Sequence, residues 1–226
     1  MDLQLHGRVV LVVGGTGLIG SAVVERLVAE GATAIVASRR GTGGIELDAR
    51  DDASVTAAIS HVLRNRGRLD GVVVAAAPSA QTLDPTRNSD PAQVLEAIDA
   101  KALAFLRVAN AALRVMTEAG YGRIVGISGQ NAFVTGNVTG AVRNAALIIA
   151  AKNLADSVAG TGVTVNTVSP GIVSENPAPD VAHGKAGESR PVDIANLVTY
   201  LISPLSGAVS GESIAVGHRV RGATSL

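Results

Sequence analysis

The chain of 226 residues has no cysteine and no tryptophan, and only 2% of its residues are aromatic. The absence of cysteine excludes disulfide bonds, thiol nucleophiles and thiolate metal sites together. So few aromatic side chains argue against recognition by stacked rings. Lysine plus arginine equals aspartate plus glutamate at 19 each, so the chain lacks the basic excess that general nucleic-acid binding requires.

Long apolar runs are also lacking. No apolar stretch reaches the roughly 20 residues that cross a bilayer, and residues 1–13 do not have the basic-then-apolar form of a signal peptide. No histidine and carboxylate spacing matches a ligand set, so we predict no metal site. We therefore expect a cytoplasmic protein that binds a small-molecule substrate and neither nucleic acid nor a membrane.

Short apolar runs alternate with longer helical stretches along the chain. We expect strands at residues 8–13, 33–37, 44–47, 71–77, 123–127, 163–168 and 212–216, and helices at 20–30, 53–66, 91–118, 140–159 and 193–202. This alternation predicts one α/β domain over residues 1–226, a Rossmann-like, doubly wound parallel β-sheet with helices on both faces. A polar segment at about 174–191 is expected to form a mobile flap.

A glycine-rich run directly follows the first predicted strand and opens into a helix. It reads Gly14, Gly15, Thr16, Gly17, Leu18, Ile19, Gly20. The first glycine permits a tight turn, the glycine at 17 lets a pyrophosphate approach the backbone, and the last lets the helix pack closely on the strand. Free N–H groups at a helix N-terminus favour phosphate, so we predict a dinucleotide site here rather than a plain turn.

The end of the second predicted strand bears on the choice of dinucleotide. A site for an unphosphorylated ribose normally has a carboxylate there, whereas this chain has Ser38, Arg39 and Arg40. Guanidinium groups bind phosphate with paired hydrogen bonds. Two solvated surface arginines are the alternative, but the missing acid together with the two adjacent charges favours NADP(H).

These motifs together resemble those of the short-chain dehydrogenase/reductase family, over nearly the whole chain. The matching segments are GGTGLIG, SRR, LDARDDASV, RIVGIS, NAALIIAAKNLADSV, VTVNTVSPG and SGESIAVG. The resemblance implies an adenine contact from Asp48 and Ala49, a ribose contact from Ala75, Ala76 and Ala77, and a nicotinamide contact from Pro170, Gly171 and Ile172. It also implies a homodimer or homotetramer paired through the two long helices.

The family's chemistry rests on serine, tyrosine and lysine, supported by an asparagine, and all four positions differ in this chain. The resemblance places Gly129 at the serine, Gly140 at the tyrosine, Asn144 at the lysine and Lys101 at the asparagine. Without the tyrosine the usual proton donor is absent, and such a donor contributes about 10²–10⁴-fold in rate. Because Asn144 could still hydrogen-bond the ribose, cofactor binding is expected to survive.

Three side chains are candidates for the altered catalytic centre: Lys101, Ser128 and Asn144. Lys101 either reaches inward or is a solvated helix lysine, and the solvated position is the commoner one. Ser128 either orients a substrate oxygen or caps a turn. Other polar residues near the centre could contact substrate but would more often be solvated: Gln130, Asn131, Asn137, Arg143 and His183.

Two functions of different classes fit these observations. The first is an NADP(H)-dependent oxidoreductase with a remodelled centre, which reduces an activated carbonyl, imine or enone of a small molecule. The second is a catalytically inactive NADP(H)-binding sensor or regulatory protein whose 174–191 flap contacts a partner. The retained run Val168-Ser169-Pro170-Gly171, on the side expected to face the nicotinamide, favours the oxidoreductase.

Overall fold

The first strand, β1 (Val9–Val13), shows why this sequence folds into layers. Successive side chains of a strand point to opposite faces of its sheet. Val9, Leu11 and Val13 pack into one hydrophobic core, while Val10 and Val12 pack into another on the opposite face. Because both faces of this strand are apolar, it is stable only in the middle of a sheet that is covered on both sides.

The computed structural model describes residues 2–78 and 82–224. The further strands are β2 (Thr33–Ser38), β3 (Ile45–Glu46), β4 (Gly71–Val74), β5 (Gly122–Ile127), β6 (Val163–Pro170), β7 (Ile172–Val173), β8 (Glu188–Ser189) and β9 (Ser213–Val216). The helices are α1 (Leu18–Ala29), α2 (Asp52–Arg66), α3 (Pro91–Ile98), α4 (Ala104–Glu118), α5 (Val138–Ser157) and α6 (Pro191–Ile202).

Seven of the strands form one parallel sheet in the order β3-β2-β1-β4-β5-β6-β9. The short strands β7 and β8 form a separate parallel pair. Helices α2, α4 and α5 cover one face of the large sheet, and α1 and α6 cover the other. The predicted Rossmann-like, doubly wound α/β fold is therefore confirmed. Within the described ranges, no helix has the length and apolarity needed to cross a membrane.

The structure differs from the sequence prediction in two places. The predicted helix 91–118 is present, but residues Asp99–Leu103 form one turn of π-helix between α3 and α4. Strand β4 ends at Val74 rather than at residue 77, because β1 beside it ends at Val13 and the chain then crosses the glycine-rich loop.

The polar segment 174–191, for which we predict a mobile flap, is not detached from the rest of the chain. It contains β8, and its backbone is hydrogen-bonded to the C-terminal stretch: Gly187 N donates to His218 O at 2.7 Å, and Arg221 N donates to Lys185 O at 2.9 Å. These bonds satisfy backbone groups that a detached loop would leave to water.

Candidate active site

The candidate residues gather at the carboxyl edge of the large sheet, where the ends of β1, β4, β5 and β6 meet. In open parallel sheets this edge forms the crevice in which ligands bind. The glycine-rich loop follows β1, residues 75–78 follow β4, Ser128 follows β5 and Gly171 follows β6. The topology thus brings together residues that lie far apart in the sequence.

The glycine-rich loop has no room for side chains at two of its positions. Gly14 has φ of +82°, and a Cβ atom there would lie 2.7 Å from Ala76 N. A Cβ at Gly20 would overlap the carbonyl oxygen of Gly14. Helix α1 starts after Gly17, with no side-chain cap and no acidic residue in its first turn. The N–H groups of that turn therefore remain open to an anion, as a pyrophosphate requires.

The end of β2 is basic and carries an unpartnered hydroxyl. Ser38 Oγ is buried without a hydrogen-bond partner in the described parts of the chain. Arg39 and Arg40 are exposed, and neither forms an ion pair with a described carboxylate. One buried acceptor or donor and two free guanidinium groups therefore lie beside each other, which fits a ribose that carries a 2′-phosphate.

The other cofactor positions implied by the resemblance differ in their surroundings. Asp48 closes a turn, since its Oδ1 accepts from Arg50 N at 2.9 Å. Ala49 is buried in the core, so its side chain does not face solvent. Pro170 ends β6, whereas the Ile172 side chain is 62% exposed despite being apolar. An exposed isoleucine at this edge is consistent with a ligand that covers it.

At the position that the resemblance gives to the tyrosine, the side chain of Asn137 lies where a side chain on residue 140 would begin. Asn137 caps helix α5, and its Oδ1 accepts from Gly140 N at 2.8 Å. A Cβ on Gly140 would lie 2.7 Å from Asn137 Nδ2. Asn137 is therefore a helix cap, with its Oδ1 used by the backbone of α5. Gln130 is likewise buried and structural, because its amide donates to Val216 O and its Oε1 accepts from Val220 N.

Lys101 is buried, with only 7% of its surface exposed, so the solvated alternative is wrong. It lies in the π-helical turn, in which Ala100, Lys101 and Ala102 are all buried in succession. Its Nζ donates to Ser128 O at 3.0 Å, at the end of β5. A regular 3.6-residue period does not anticipate three successive buried residues, and π-helical turns are frequent at functional sites.

Burial, together with the positive charge of Arg143, lowers the pKa of Lys101 to about 7. The nearest acid in the sequence, Asp99, does not compensate this charge. Its carboxylate accepts from Arg50 Nε at 2.8 Å and from Arg107 Nη2 at 2.9 Å. Burial of Asp99 opposes ionisation, but these arginines outweigh it and hold the pKa of Asp99 below its usual value. Lys101 can therefore exchange a proton near neutral pH.

Arg143 and Asn144 are both buried on α5, contrary to the expectation that Arg143 is solvated. Arg143 Nη1 donates to Pro78 O at 3.2 Å, while Nε has no partner among the described residues. Asn144 Oδ1 is also unpartnered there. Ser128 Oγ donates to the main-chain oxygen of Asn144 at 3.1 Å, so its proton is committed to the backbone rather than to a substrate.

The structure does not bring His183 to this centre. Its side chain is exposed and lies against Gly222, where a Cβ atom would overlap its Nε2. Within the described ranges, no group of three or more histidine, aspartate and glutamate residues is arranged to hold a metal ion. The chemistry-bearing groups of the centre are therefore Lys101, Arg143 and Asn144, with Ser128 linking two of them.

Comparison with known proteins indicates the family of this chain. The family model described as enoyl-(acyl carrier protein) reductase matches residues 14–218. The 3-oxoacyl-[acyl-carrier-protein] reductase FabG of Vibrio harveyi is 27% identical over 241 residues, which cover 95% of this chain and 97% of that protein. FabG of Aquifex aeolicus is 26% identical over 248 residues, covering 96% and 98% of the two chains.

A solved structure agrees on the fold. The crystal structure of gox2181 matches with a TM-score of 0.80 at 23% sequence identity, over 95% of this chain and 96% of that one. At this identity the match shows the fold alone. Together with the family model, these matches confirm the resemblance seen in the sequence.

Proposed function

This chain belongs to the short-chain dehydrogenase/reductase family, and we propose that it is an NADP(H)-dependent oxidoreductase with a non-standard catalytic centre. Its substrate would be a small molecule with an activated carbonyl, imine or conjugated enone. The observation that carries the proposal is the buried amine of Lys101 beside Ser128, at the carboxyl edge of the sheet.

The residues at the sheet edge fit NADP(H). The loop from Gly14 to Gly20 would hold the pyrophosphate, since the first turn of α1 has no side-chain cap and no acidic residue, and its N–H groups can therefore bind an anion. Ser38, Arg39 and Arg40 would bind the 2′-phosphate, because they offer a buried hydroxyl and two unpaired cations. Asp48, Ala75, Ala76, Ala77, Asn144, Pro170, Gly171 and Ile172 complete the set that we assign to the cofactor.

The protein itself would contribute to reduction in two ways: it would donate a proton, and it would position the reacting groups. NADPH, when bound, supplies the hydride. Lys101 in its ammonium form would donate one proton to the substrate oxygen and be left as the neutral amine. Ser128 O holds the ammonium by its hydrogen bond at 3.0 Å, and the Asn144 amide would hydrogen-bond the ribose. A substrate that is already activated needs little help from an acid, which suits a centre without a phenol.

Cofactor preference tests the first part of the proposal. We expect fluorescence titration to give at least tenfold tighter binding of NADPH than of NADH, and we expect Arg39→Ala to abolish the difference. Arg64→Ala is the matched control, because Arg64 is exposed on α2 and forms no ion pair with a described residue. Equal dissociation constants for the two cofactors in the wild type would refute the assignment to NADP(H).

Turnover tests the second part. NADPH oxidation should be detectable with a panel of activated ketones, imines and enones at high protein concentration, and Lys101→Met should reduce kcat by at least tenfold without changing NADPH affinity. NADPH binding without oxidation of any acceptor would favour the alternative, a catalytically inactive NADP(H)-binding sensor. The vacated tyrosine position, filled by Asn137, is the observation on which that alternative rests.

The homodimer or homotetramer expected from the resemblance would use α4 and α5. These helices and the π-helical turn leave apolar side chains exposed, among them Leu103 at 36%, Val142 at 39% and Ile149 at 62%. We expect light scattering coupled to size exclusion to give at least twice the monomer mass. A monomer at micromolar concentration would contradict this.

A further inference from the structure

Two cations are buried side by side at the candidate centre without a counter-charge. Lys101 is 7% exposed and Arg143 is 4% exposed. Neither forms an ion pair with any carboxylate that the structure describes. Buried charges in proteins are nearly always paired, because an isolated one loses its hydration without compensation. Lys101 and Arg143 therefore lack the counter-charge that buried cations normally have.

The surrounding residues do not neutralise the two charges. Lys101 Nζ donates to a main-chain oxygen, Ser128 O, and Arg143 Nη1 donates to another, Pro78 O. Carbonyl oxygens satisfy hydrogen bonds but carry no net charge. Asp99, only two positions from Lys101, has its carboxylate bound by Arg50 and Arg107. The two cations also act on each other, since the charge of Arg143 disfavours protonation of Lys101.

Arg143 has an unused edge. Its Nη1 is taken by Pro78 O, whereas Nε is buried with no partner among the described residues, and Nη2 forms no bond there either. The Nε–Nη2 edge of a guanidinium is planar and binds the two oxygens of a carboxylate through parallel hydrogen bonds. An unpartnered donor that is buried on a binding edge, and not in the core, fits a ligand better than a packing role.

We propose that Arg143, with Lys101 beside it, binds a carboxylate carried by the substrate, so that the preferred substrates are oxo acids rather than neutral ketones. The carboxylate would lie on the Nε–Nη2 edge of Arg143 and would supply the negative charge that the centre lacks. This inference rests on the proposed function in so far as it assigns the ligand to the substrate. The binding of a carboxylate by these two cations is testable without turnover.

Binding of a small oxo acid and of its neutral isostere tests the site. Acetoacetate and acetoacetamide differ by one charge and little in size. Titration calorimetry of the wild type at saturating NADP⁺, which has no hydride to transfer to the ketone, in a low-chloride buffer, should give at least tenfold tighter binding of acetoacetate. Arg143→Gln should weaken acetoacetate by at least tenfold and leave acetoacetamide unchanged. Arg64→Gln removes the same charge from an exposed helix and should change neither ligand.

Several results would overturn the proposal. These are equal affinity for the acid and the amide, an Arg143→Gln variant that behaves as Arg64→Gln does, or tighter binding of inorganic phosphate than of acetoacetate. Acetoacetate that binds only without NADP⁺ would also overturn it, because the cations would then serve the cofactor. Arg143→Lys keeps the charge but not the paired edge, so it should recover part of the affinity, and this guards against a variant that merely fails to fold.

The inference and the proposed function can fail separately. Arg143-dependent binding of acetoacetate without NADPH oxidation by any oxo acid would refute the reductase and leave the carboxylate site standing. NADPH-dependent reduction of neutral ketones, with no preference for the acids, would refute the site and leave the reductase standing.

Discussion

The buried lysine makes stability depend on pH in a way that can be calculated. Lys101 has its pKa lowered from 10.5 to about 7 by burial and by the charge of Arg143. Between these two values the unfolded chain holds the proton and the folded protein does not, so the folded state gains stability as pH rises. Below about pH 7 both states are protonated, and the cost of burying the ammonium is felt in full.

The size of the effect follows from the slope of about 1.4 kcal/mol per pH unit for one proton. From pH 6 to pH 9 the wild type should gain about 2.5 kcal/mol of unfolding free energy relative to Lys101→Met, because titration begins near pH 7. The variant keeps the length of the side chain and removes the charge. At pH 6 it should therefore be more stable than the wild type.

Urea denaturation followed by circular dichroism gives the unfolding free energy of the wild type and of Lys101→Met at pH 6 and at pH 9. The effect is the change with pH in the difference between the two proteins. All other titrating groups act equally in both proteins and cancel. Lys185→Met is the matched control, since Lys185 is exposed in the polar segment, and it should show no pH-dependent difference from the wild type. A Lys101→Met protein whose stability follows the wild type at both pH values would refute the burial of a titrating ammonium.

Three further outcomes are expected from the same geometry. With a neutral acceptor, kcat/KM should fall about tenfold per pH unit above about pH 7, because the protonated form of Lys101 in the free enzyme is the donor, and a pH profile in Lys101→Met should be flat. Denaturant unfolding of Asn137→Ala should show an unfolding free energy about 1 kcal/mol below that of the wild type, because the variant lacks the α5 cap. Gly140→Tyr should be destabilised by at least as much, because the new side chain displaces Asn137. Gly20→Ala should weaken NADPH binding at least tenfold in fluorescence titration, whereas Ser21→Ala, its neighbour on α1, should not, since only the first adds a Cβ against the Gly14 carbonyl.

The fold was predictable because each strand and helix is indicated by its own local sequence pattern. Runs such as Val9–Val13 are apolar on both faces, which indicates a parallel strand that is covered on both sides. Gly14 and Gly20 lie in the strand-to-helix turn, where a Cβ atom would clash with nearby backbone atoms. The outer boundaries of the other predicted elements were correct to within two residues. The end of β4 was wrong by three residues, since whether Ala75 continues a strand depends on where the neighbouring strand stops.

The centre was less predictable because its side chains depend on tertiary contacts. A lysine on a helix is solvated in most proteins, and the buried position of Lys101 follows from the π-helical turn, for which the sequence has no clear signal. Arg143 was expected to be solvated for the same reason. Its position next to Asn144, on a helix facing the sheet edge, was the one available hint.

Two of the four positions at which the resemblance implies a change are related by an exchange. The resemblance places Asn144 at the family's lysine and Lys101 at its asparagine, so an amide and an amine would have exchanged positions. In the arrangement that the resemblance implies for the family, the lysine acts through a tyrosine, whose pKa it lowers. Here Gly140 has no phenol, and Lys101 is buried so deeply that its own pKa falls to about 7. A second buried cation, Arg143, contributes to that shift and adds a charge that no described carboxylate neutralises. Both effects would be reversed by a bound carboxylate, which would favour protonation of Lys101 when the substrate that needs the proton is present.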